Sequence, residues 1–349
     1  MTPNQDTPGN NGSSTPPIND FVIDAAPSSA AASPAYASAG GPIADLSYRN
    51  YDGPLQNRSA RWWIIAISRL RYLRVRWWFW LFVALSVLPW LFTTIIMYFQ
   101  GQTGGAINNP LFDNTVGQKY AIHFMRTLGW QSFWLFCIAV MTGAGAISSD
   151  NQSNALLVYL SKPITKGDYL LGKWMSTFLL VFLVAFVPAM LFFVYCLLSY
   201  YSDGFLKEEP WLFFRIVGAC AIPAAIHASL LTGTSAWSKT PVLAGATYAG
   251  LYFVADIIVT VCWGVRYRGD ISQGLLMQKM SIGGVISGLN QNIFGVTQHM
   301  AGFGRRNGFK QFDVPPPNLW IMLALAVGLC VIGIVAARMR IRAVEVVTG

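Results

Sequence analysis

Residues 148–173, SSDNQSNALLVYLSKPITKGDYLLGK, form a hydrophilic segment between two long apolar segments. Ser149 and Gln152 have the spacing of a capping box, in which two side chains satisfy free amides at a helix start. We expect a short helix to follow and to end at Lys162-Pro163, because a residue that precedes proline is disfavoured in the helical region.

The second half of this segment predicts another helix. Leu156 and Leu160 would share one face of the first helix, and Thr165 with Asp168 gives a second capping signal after the break. The new helix would continue into the next apolar segment. A helix, a break and a second helix directly at a membrane surface form a shape suited to docking.

Composition places the chain among integral membrane proteins. Apolar residues make up 54% of its 349 residues and charged residues only 11%, and the mean hydropathy is +0.45. Soluble domains carry about 25% charged residues. The cysteines all fall in apolar segments without a CxxC pair, so we interpret them as small buried apolar residues, not disulfides or metal ligands. They are Cys137, Cys196, Cys220, Cys262 and Cys330.

Six segments are long enough for spanning helices, which need about 17–25 mostly apolar residues. They cover residues 77–99, 127–147, 174–200, 211–236, 241–263 and 318–337. The predicted fold is therefore an all-α integral membrane protein with six transmembrane helices. Residues 77–349 form the membrane domain, in which 148–173 and 264–317 are long connections.

Basic residues predict the orientation. Lysines and arginines cluster before the first span and after the second, fourth and sixth spans. With six spans these four places share one face, which the positive-inside rule assigns to the cytoplasm. Both termini and segment 148–173 would then be cytoplasmic, in a cell (inner) membrane. The basic residues of 264–317 do not conflict with this, because long loops count weakly.

The residues before the first span divide into two parts. Residues 1–57, rich in Pro, Ser, Ala, Asn and Gly, predict a disordered cytoplasmic tail without a signal sequence. Residues 58–76 mix six arginines with tryptophan and aliphatic residues, a pattern typical of an amphipathic helix in the lipid headgroup region. A basic stripe that binds nucleic acid is the rival interpretation. Because a membrane span follows without a break, we expect these residues to contact membrane lipids and not nucleic acid.

Four short motifs follow one another within 148–173: Asp150, Asn154-Ala155-Leu156, Leu160-Ser161-Lys162-Pro163 and Gly172-Lys173. Their order resembles the type-2 family of ATP-binding-cassette exporter permeases. In that family an acidic residue, a Gly-Thr-Leu-like triplet, a Leu-Ser-x-Pro turn and a Gly-Lys pair recur between the second and third spans. Asn154-Ala155 departs from the commoner Gly-Thr.

The resemblance implies that 148–173 contains a coupling helix that contacts an ATPase subunit. It also implies export, a second permease copy or homologue, and re-entrant helices between the last two spans that close an outer gate. Residues 271–294 would form them, although a surface loop with one amphipathic helix explains that stretch equally well. The implied docking residues are Asp150, Asn154, Leu156, Leu157, Leu160, Ser161, Lys162 and Pro163.

Nucleotide binding by this chain itself is not expected. Residues 167–173 fit G-x-x-x-x-G-K, but Trp174 replaces the hydroxyl that binds magnesium, and no strand precedes the motif. We therefore expect no cofactor, no catalytic residue and no metal site. ATP hydrolysis would occur in a separate subunit.

Two ionisable residues inside spans are candidates for a structural role. Arg215 and Asp256 lie at similar depths from the external ends of spans four and five, and such residues usually face a partner or a cavity. They would form an ion pair, or Arg215 would reach the headgroups while Asp256 faces water. His227 in span four has no neighbouring ligand, which favours helix packing over metal binding.

Two other classes of function are open. An intramembrane enzyme would need catalytic groups that converge at one depth, and the sequence shows no such set. An accessory or structural subunit of a larger membrane complex, with the docking segment kept as a scaffold, fits the same sequence. A neighbouring gene for a Walker-type ATPase would favour the transporter, and its absence the accessory role.

Overall fold

The computed structural model describes residues 61–74, 76–102, 120–153, 165–202, 204–266, 279–296, 298–304, 308–314 and 316–341. These residues belong to one compact unit, Leu55–Gly349. The predicted tail, 1–57, lies outside the described residues. The predicted short helix after Ser149 lies mostly outside them too, together with its docking residues from Asn154 to Pro163.

The described chain is a helical bundle. In chain order its helices are α1 (Arg61–Arg74), α2 (Trp77–Gln102), α3 (Ala121–Gly143), α4 (Ser148–Gln152), α5 (Lys166–Ser199), α6 (Phe205–Glu208), α7 (Leu212–Trp237), α8 (Pro241–Arg266), α9 (Ile282–Phe294) and α10 (Leu319–Arg340). Within the described ranges, six helices, the predicted number, are long and apolar enough to cross a membrane. They correspond to α2, α3, α5, α7, α8 and α10.

Two spans begin earlier than hydropathy predicts. The second begins at Ala121 instead of residue 127, and the third at Lys166 instead of residue 174. Hydropathy marks the part of a helix that lies in hydrocarbon, whereas a cap marks where the helix itself begins. The third span therefore extends through the polar residues back to its capping box.

One predicted cap is confirmed and the other is wrong. Thr165 Oγ1 accepts from the Asp168 amide at 3.1 Å, and Asp168 Oδ2 accepts from the Thr165 amide at 3.4 Å. Ser149 caps nothing and donates instead to the carbonyl of Gly145 at 2.5 Å. The reason is that Ile147, the residue before α4, already has right-handed helical torsions, so no free helix start remains at Ser149.

The described part of the connection between the last two spans contains more regular structure than predicted. It contains α9, which begins with Ser281 Oγ accepting from the Gly284 amide at 3.0 Å and ends at Gly295 with a φ of +67°. A hairpin of β1 (Gln298–Gly304) and β2 (Gly308–Val314) follows. The all-α prediction therefore missed two strands.

Helix α7 lies at the centre of the bundle and contacts α3, α5, α8, α9 and α10. Its contact with α10 depends on two glycines, because a Cβ at Gly233 would lie 2.8 Å from the carbonyl oxygen of Gly333. Small residues allow helix backbones to approach this closely in membranes. Helices α2, α8 and α10 instead leave most apolar side chains exposed, as lipid-facing helices do.

Candidate functional site

The two described ends of segment 148–173 are joined by a buried ion pair. Lys173 Nζ lies 2.7 Å from Asp150 Oδ2, and the two side chains are 6% and 13% exposed. The hydroxyl of Tyr169, itself fully buried, donates to the same carboxylate oxygen at 2.6 Å. Helix α4 is thereby fixed to the first two turns of α5. The Asp150 carboxylate, predicted as a docking residue, faces into the protein, and its contact with an ATPase stays a prediction.

Lys173, the lysine of the G-x-x-x-x-G-K pattern in residues 167–173, has a structural role. Lys173 follows Gly172 in the G-x-x-x-x-G-K pattern, and the structure uses its ammonium to neutralise Asp150. Its ammonium also lies 5.5 Å from the ring centroid of Tyr169. A buried charge is stable only when it is paired and hydrogen-bonded. Here the ammonium of Lys173 and the carboxylate of Asp150 pair with each other.

Gly172 brings helix α1 against α5. A Cβ at this position would lie 2.8 Å from the carbonyl oxygen of Trp62 and 2.9 Å from Cβ of Ile65. Ile65 and Ala66 are both buried. The glycine of the Gly-Lys pair therefore permits a close helix contact, and the lysine holds the ion pair one residue later.

We expect Gly172→Ala to loosen α1. The added methyl overlaps a backbone oxygen, and overpacking of this kind costs about 1–3 kcal/mol. Thermal unfolding should occur at lower temperature, and trypsin should cleave faster at Arg71, which is exposed on α1. Gly167→Ala is the matched control, because its nearest contact for a Cβ is a side-chain oxygen at 3.7 Å. Equal behaviour of the two variants would contradict this role of Gly172.

Arg69 connects α1 to the end of α3. Its guanidinium donates to the carbonyl oxygens of Thr142 at 2.6 Å, Gly145 at 2.9 Å and Ala146 at 3.3 Å. Carbonyl groups at a helix C-terminus lack intrahelical donors and carry partial negative charge, so a cation there is favourable. No motif in residues 58–76 distinguishes Arg69 from the other arginines there.

Ser235, near the end of α7, completes the connections. Its hydroxyl oxygen accepts from the amides of Ile147 and Ser148, both at 2.9 Å, and donates to the carbonyl of Ala144 at 2.7 Å. Asn151 Nδ2 also donates to the carbonyl of Ala236 at 3.4 Å. Helix α4 and the turn before it are therefore bonded to α7 as well as to α5. No motif in the sequence pointed to Ser235.

The structure corrects the predicted ion pair between Arg215 and Asp256. Arg215 Nη1 lies 3.1 Å from Glu209 Oε2, and Asp256 Oδ1 accepts from Ser281 Oγ at 2.7 Å. The turn between α6 and α7 places Glu209 beside Arg215, so the nearby carboxylate forms the pair. Burial raises the pKa of Glu209 above its ordinary value, and the charge of Arg215 opposes that rise.

His227 packs between α7 and α8, in agreement with the structural interpretation of its sequence context. Its Nδ1 lies 2.6 Å from the hydroxyl oxygen of Tyr248, and both side chains are buried. The aromatic rings of Phe136 and Tyr252 lie around it. The histidine therefore joins two spanning helices.

Comparison with models of protein families gives a match over most of the chain. A family model described as ABC-2 family transporter protein matches residues 63–338. The match includes all six spans, most of α1 and the whole of segment 148–173. No curated protein matches the chain.

Proposed function

The chain belongs to the ABC-2 transporter family, and we propose that it is the permease of an exporter driven by a separate ATPase subunit that docks on segment 148–173. Membership of the family supports a membrane-spanning subunit of an ABC transporter. The docking position, export and pairing with a second permease copy or homologue are our proposals. They follow the resemblance of the motifs in 148–173.

The observation that carries the docking proposal is the set of bonds that hold both ends of the segment. Asp150 bonds to Lys173 and Tyr169 on α5, and Ser235 on α7 bonds to the turn before α4. A force applied between residues 153 and 165 therefore acts on α5 and α7 together. A loop without such bonds would yield without moving the spans.

A groove beside α4 offers further surface to an ATPase. It has a volume of about 550 Å³ and is bordered by α4, by the turn between α7 and α8, and by the end of α10. Asn151, Gln152, Lys239 and Arg340 are among the residues that line it. In the sequence, the predicted docking residues from Asn154 to Pro163 begin two residues after Gln152, which lines this groove. We propose that the ATPase contacts both surfaces.

The distribution of charge supports a cytoplasmic position for this end. The end of α10 lies beside the end of α7, since Trp237 Nε1 donates to the carbonyl of Ala336 at 3.0 Å. The described basic residues after the second, fourth and sixth spans therefore share one end of the bundle; they are Lys166, Lys173, Lys239, Arg338 and Arg340. By the positive-inside rule we assign this end to the cytoplasm, with α1 in the headgroup region and both termini inside.

The mechanism that we propose has three steps. ATP binding draws two ATPase subunits together, and each presses on the docking segment of one permease. The ion pair and the Ser235 bonds pass this displacement to α5 and α7. Because α7 contacts most of the bundle, its movement changes the packing of the spans and opens a path across the membrane.

Co-purification tests the docking proposal. We expect an ATPase subunit to co-purify in detergent with the native chain and to be lost from the double variant Leu156→Asp/Leu160→Asp, since two carboxylates would disrupt an apolar contact. Leu206→Asp is the matched control, because Leu206 is 44% exposed on α6, near the opposite end of the bundle. This control should retain the ATPase.

Two outcomes would contradict the proposal. If the double variant retains as much ATPase as the native chain, the docking position is wrong. If no ATPase accompanies the native chain, the rival role as an accessory or structural subunit of a larger membrane complex replaces the transporter.

A further inference from the structure

A large cleft lies at the same end of the bundle as segment 148–173, and Ser149, Asp150 and Lys173 of that segment are part of its lining. It has a volume of about 970 Å³ and is bordered by α1, the starts of α2, α5 and α8, and the end of α3. Ligand pockets range from about 300 to 1,000 Å³. The cleft is therefore large enough for a sizeable ligand.

One wall of the cleft is apolar. Val140 and Met141 from α3 face it, together with Val242, Ala246 and Ala249 from α8. Met141 is 42% exposed and Val242 is 82% exposed, and both helices belong to the membrane-spanning set. The wall therefore continues into the apolar surface that faces hydrocarbon, so an acyl chain can lie along it.

The rest of the lining includes polar and charged residues. Its described charged residues are three cations, Arg69, Arg76 and Lys173, and one carboxylate, Asp150. Lys173 and Asp150 neutralise each other, so the described lining residues carry two more positive charges, on Arg69 and Arg76. The bonds of Arg69 to the end of α3 hold one of these charges at a fixed place.

We propose that this cleft binds the headgroup of an anionic phospholipid, with the phosphate near Arg69 and Arg76 and an acyl chain along the α8 wall. A guanidinium group offers several donors in one plane and suits phosphate oxygens. A cleft whose lining has both charged and apolar residues fits an amphiphile better than a free ion. The lipid would support α1 from the side that α5 does not cover.

The effect of Arg76 on lipid binding is the first test. Native mass spectrometry of the purified full chain would be titrated with dioleoylphosphatidylglycerol and, separately, with dioleoylphosphatidylcholine. We expect the anionic lipid to bind more tightly, and Arg76→Gln to weaken it about fivefold, the factor for one arginine near an anionic headgroup. The control is Arg338→Gln, which removes the same charge from the exposed end of α10 and should change binding less than twofold.

A steric variant tests the apolar wall independently of charge. Ala246→Trp would fill the cleft and should abolish tight binding, whereas Leu251→Trp changes an exposed residue of the same helix outside the cleft and should not. Size-exclusion elution and melting temperature would confirm that each variant is folded.

Three results would overturn the proposal. Equal loss of binding in Arg76→Gln and Arg338→Gln would mean diffuse attraction to a basic surface. Equal binding of both lipids would mean that charge plays no part. Displacement of the lipid by inorganic phosphate at the same concentration would mean that the cleft takes free phosphate and not a lipid.

Discussion

We expect Asp150→Asn to reduce the free energy of unfolding by about 3–5 kcal/mol, the range for removing one member of a buried ion pair. The variant leaves the ammonium of Lys173, which is 6% exposed, beside a neutral amide. Helix α4 then loses its charged bond to α5, although the Asn side chain can still accept from Tyr169. Lys173→Met should cost a similar amount, because the buried carboxylate loses its cation and keeps, among the described residues, the hydrogen bond from the Tyr169 hydroxyl.

The double variant measures the coupling between the two charges, apart from the effect of removing either one alone. Asp150→Asn/Lys173→Met removes both charges, so it should be clearly more stable than the sum of the two single losses predicts. The measurement is unfolding of the purified chain in mixed micelles, followed by circular dichroism. Lys166→Met is the control, since Lys166 is exposed at the start of α5, and should change stability by less than about 0.5 kcal/mol. Additive losses in the double variant would show that the pair is not coupled.

We expect Gly333→Ala to separate α10 from α7 and to cost about 3 kcal/mol, the upper end of the usual range for overpacking. A Cβ on Gly333 would overlap the carbonyl oxygen of Ser229 and lie 2.9 Å from the amide nitrogen of Leu230. These are backbone atoms of a central helix, so no side-chain rotation relieves the overlap. The two helices have to move apart along their whole contact.

The same helix provides the control for this prediction. A Cβ at Gly328 would meet nothing within 4 Å, so Gly328→Ala should be neutral or slightly stabilising, because alanine favours helix over glycine by up to about 1 kcal/mol. The measurement is the melting temperature of each purified variant. If the Gly333→Ala and Gly328→Ala variants have the same melting temperature, the two helices do not approach as closely as described.

The features that were predicted correctly are encoded locally. Six spans follow from apolar length, because a helix must cross about 30 Å of hydrocarbon. The cap at Thr165 and Asp168 follows from two side chains three residues apart. Even the position of the family motifs in 148–173 is local, which is why a short stretch was enough to suggest the family that the chain matches.

The features that were missed depend on residues far apart in the sequence. Arg69 bonds to carbonyls 73 to 77 residues away, and Ser235 to amides 87 and 88 residues away. Gly172 matters because α1 crosses α5 there. Neither hydrophobic periodicity nor a sequence motif predicts where two helices cross. For Arg215 the error is the opposite one. Its similar depth to Asp256 predicted a distant partner, but its partner is Glu209, six residues away.

The most direct test of the docking proposal is a photo-crosslink from the docking segment in the native membrane. Leu157 would be replaced by p-benzoylphenylalanine, with Leu206 replaced in the same way as the control, and the adducts identified by mass spectrometry after illumination. We predict that Leu157 crosslinks to a subunit with a Walker-type ATPase sequence and that Leu206 does not. Adducts from Leu157 that contain no ATPase, or equal ATPase adducts from both positions, would contradict the assignment of this segment as the place where ATP hydrolysis acts on the permease.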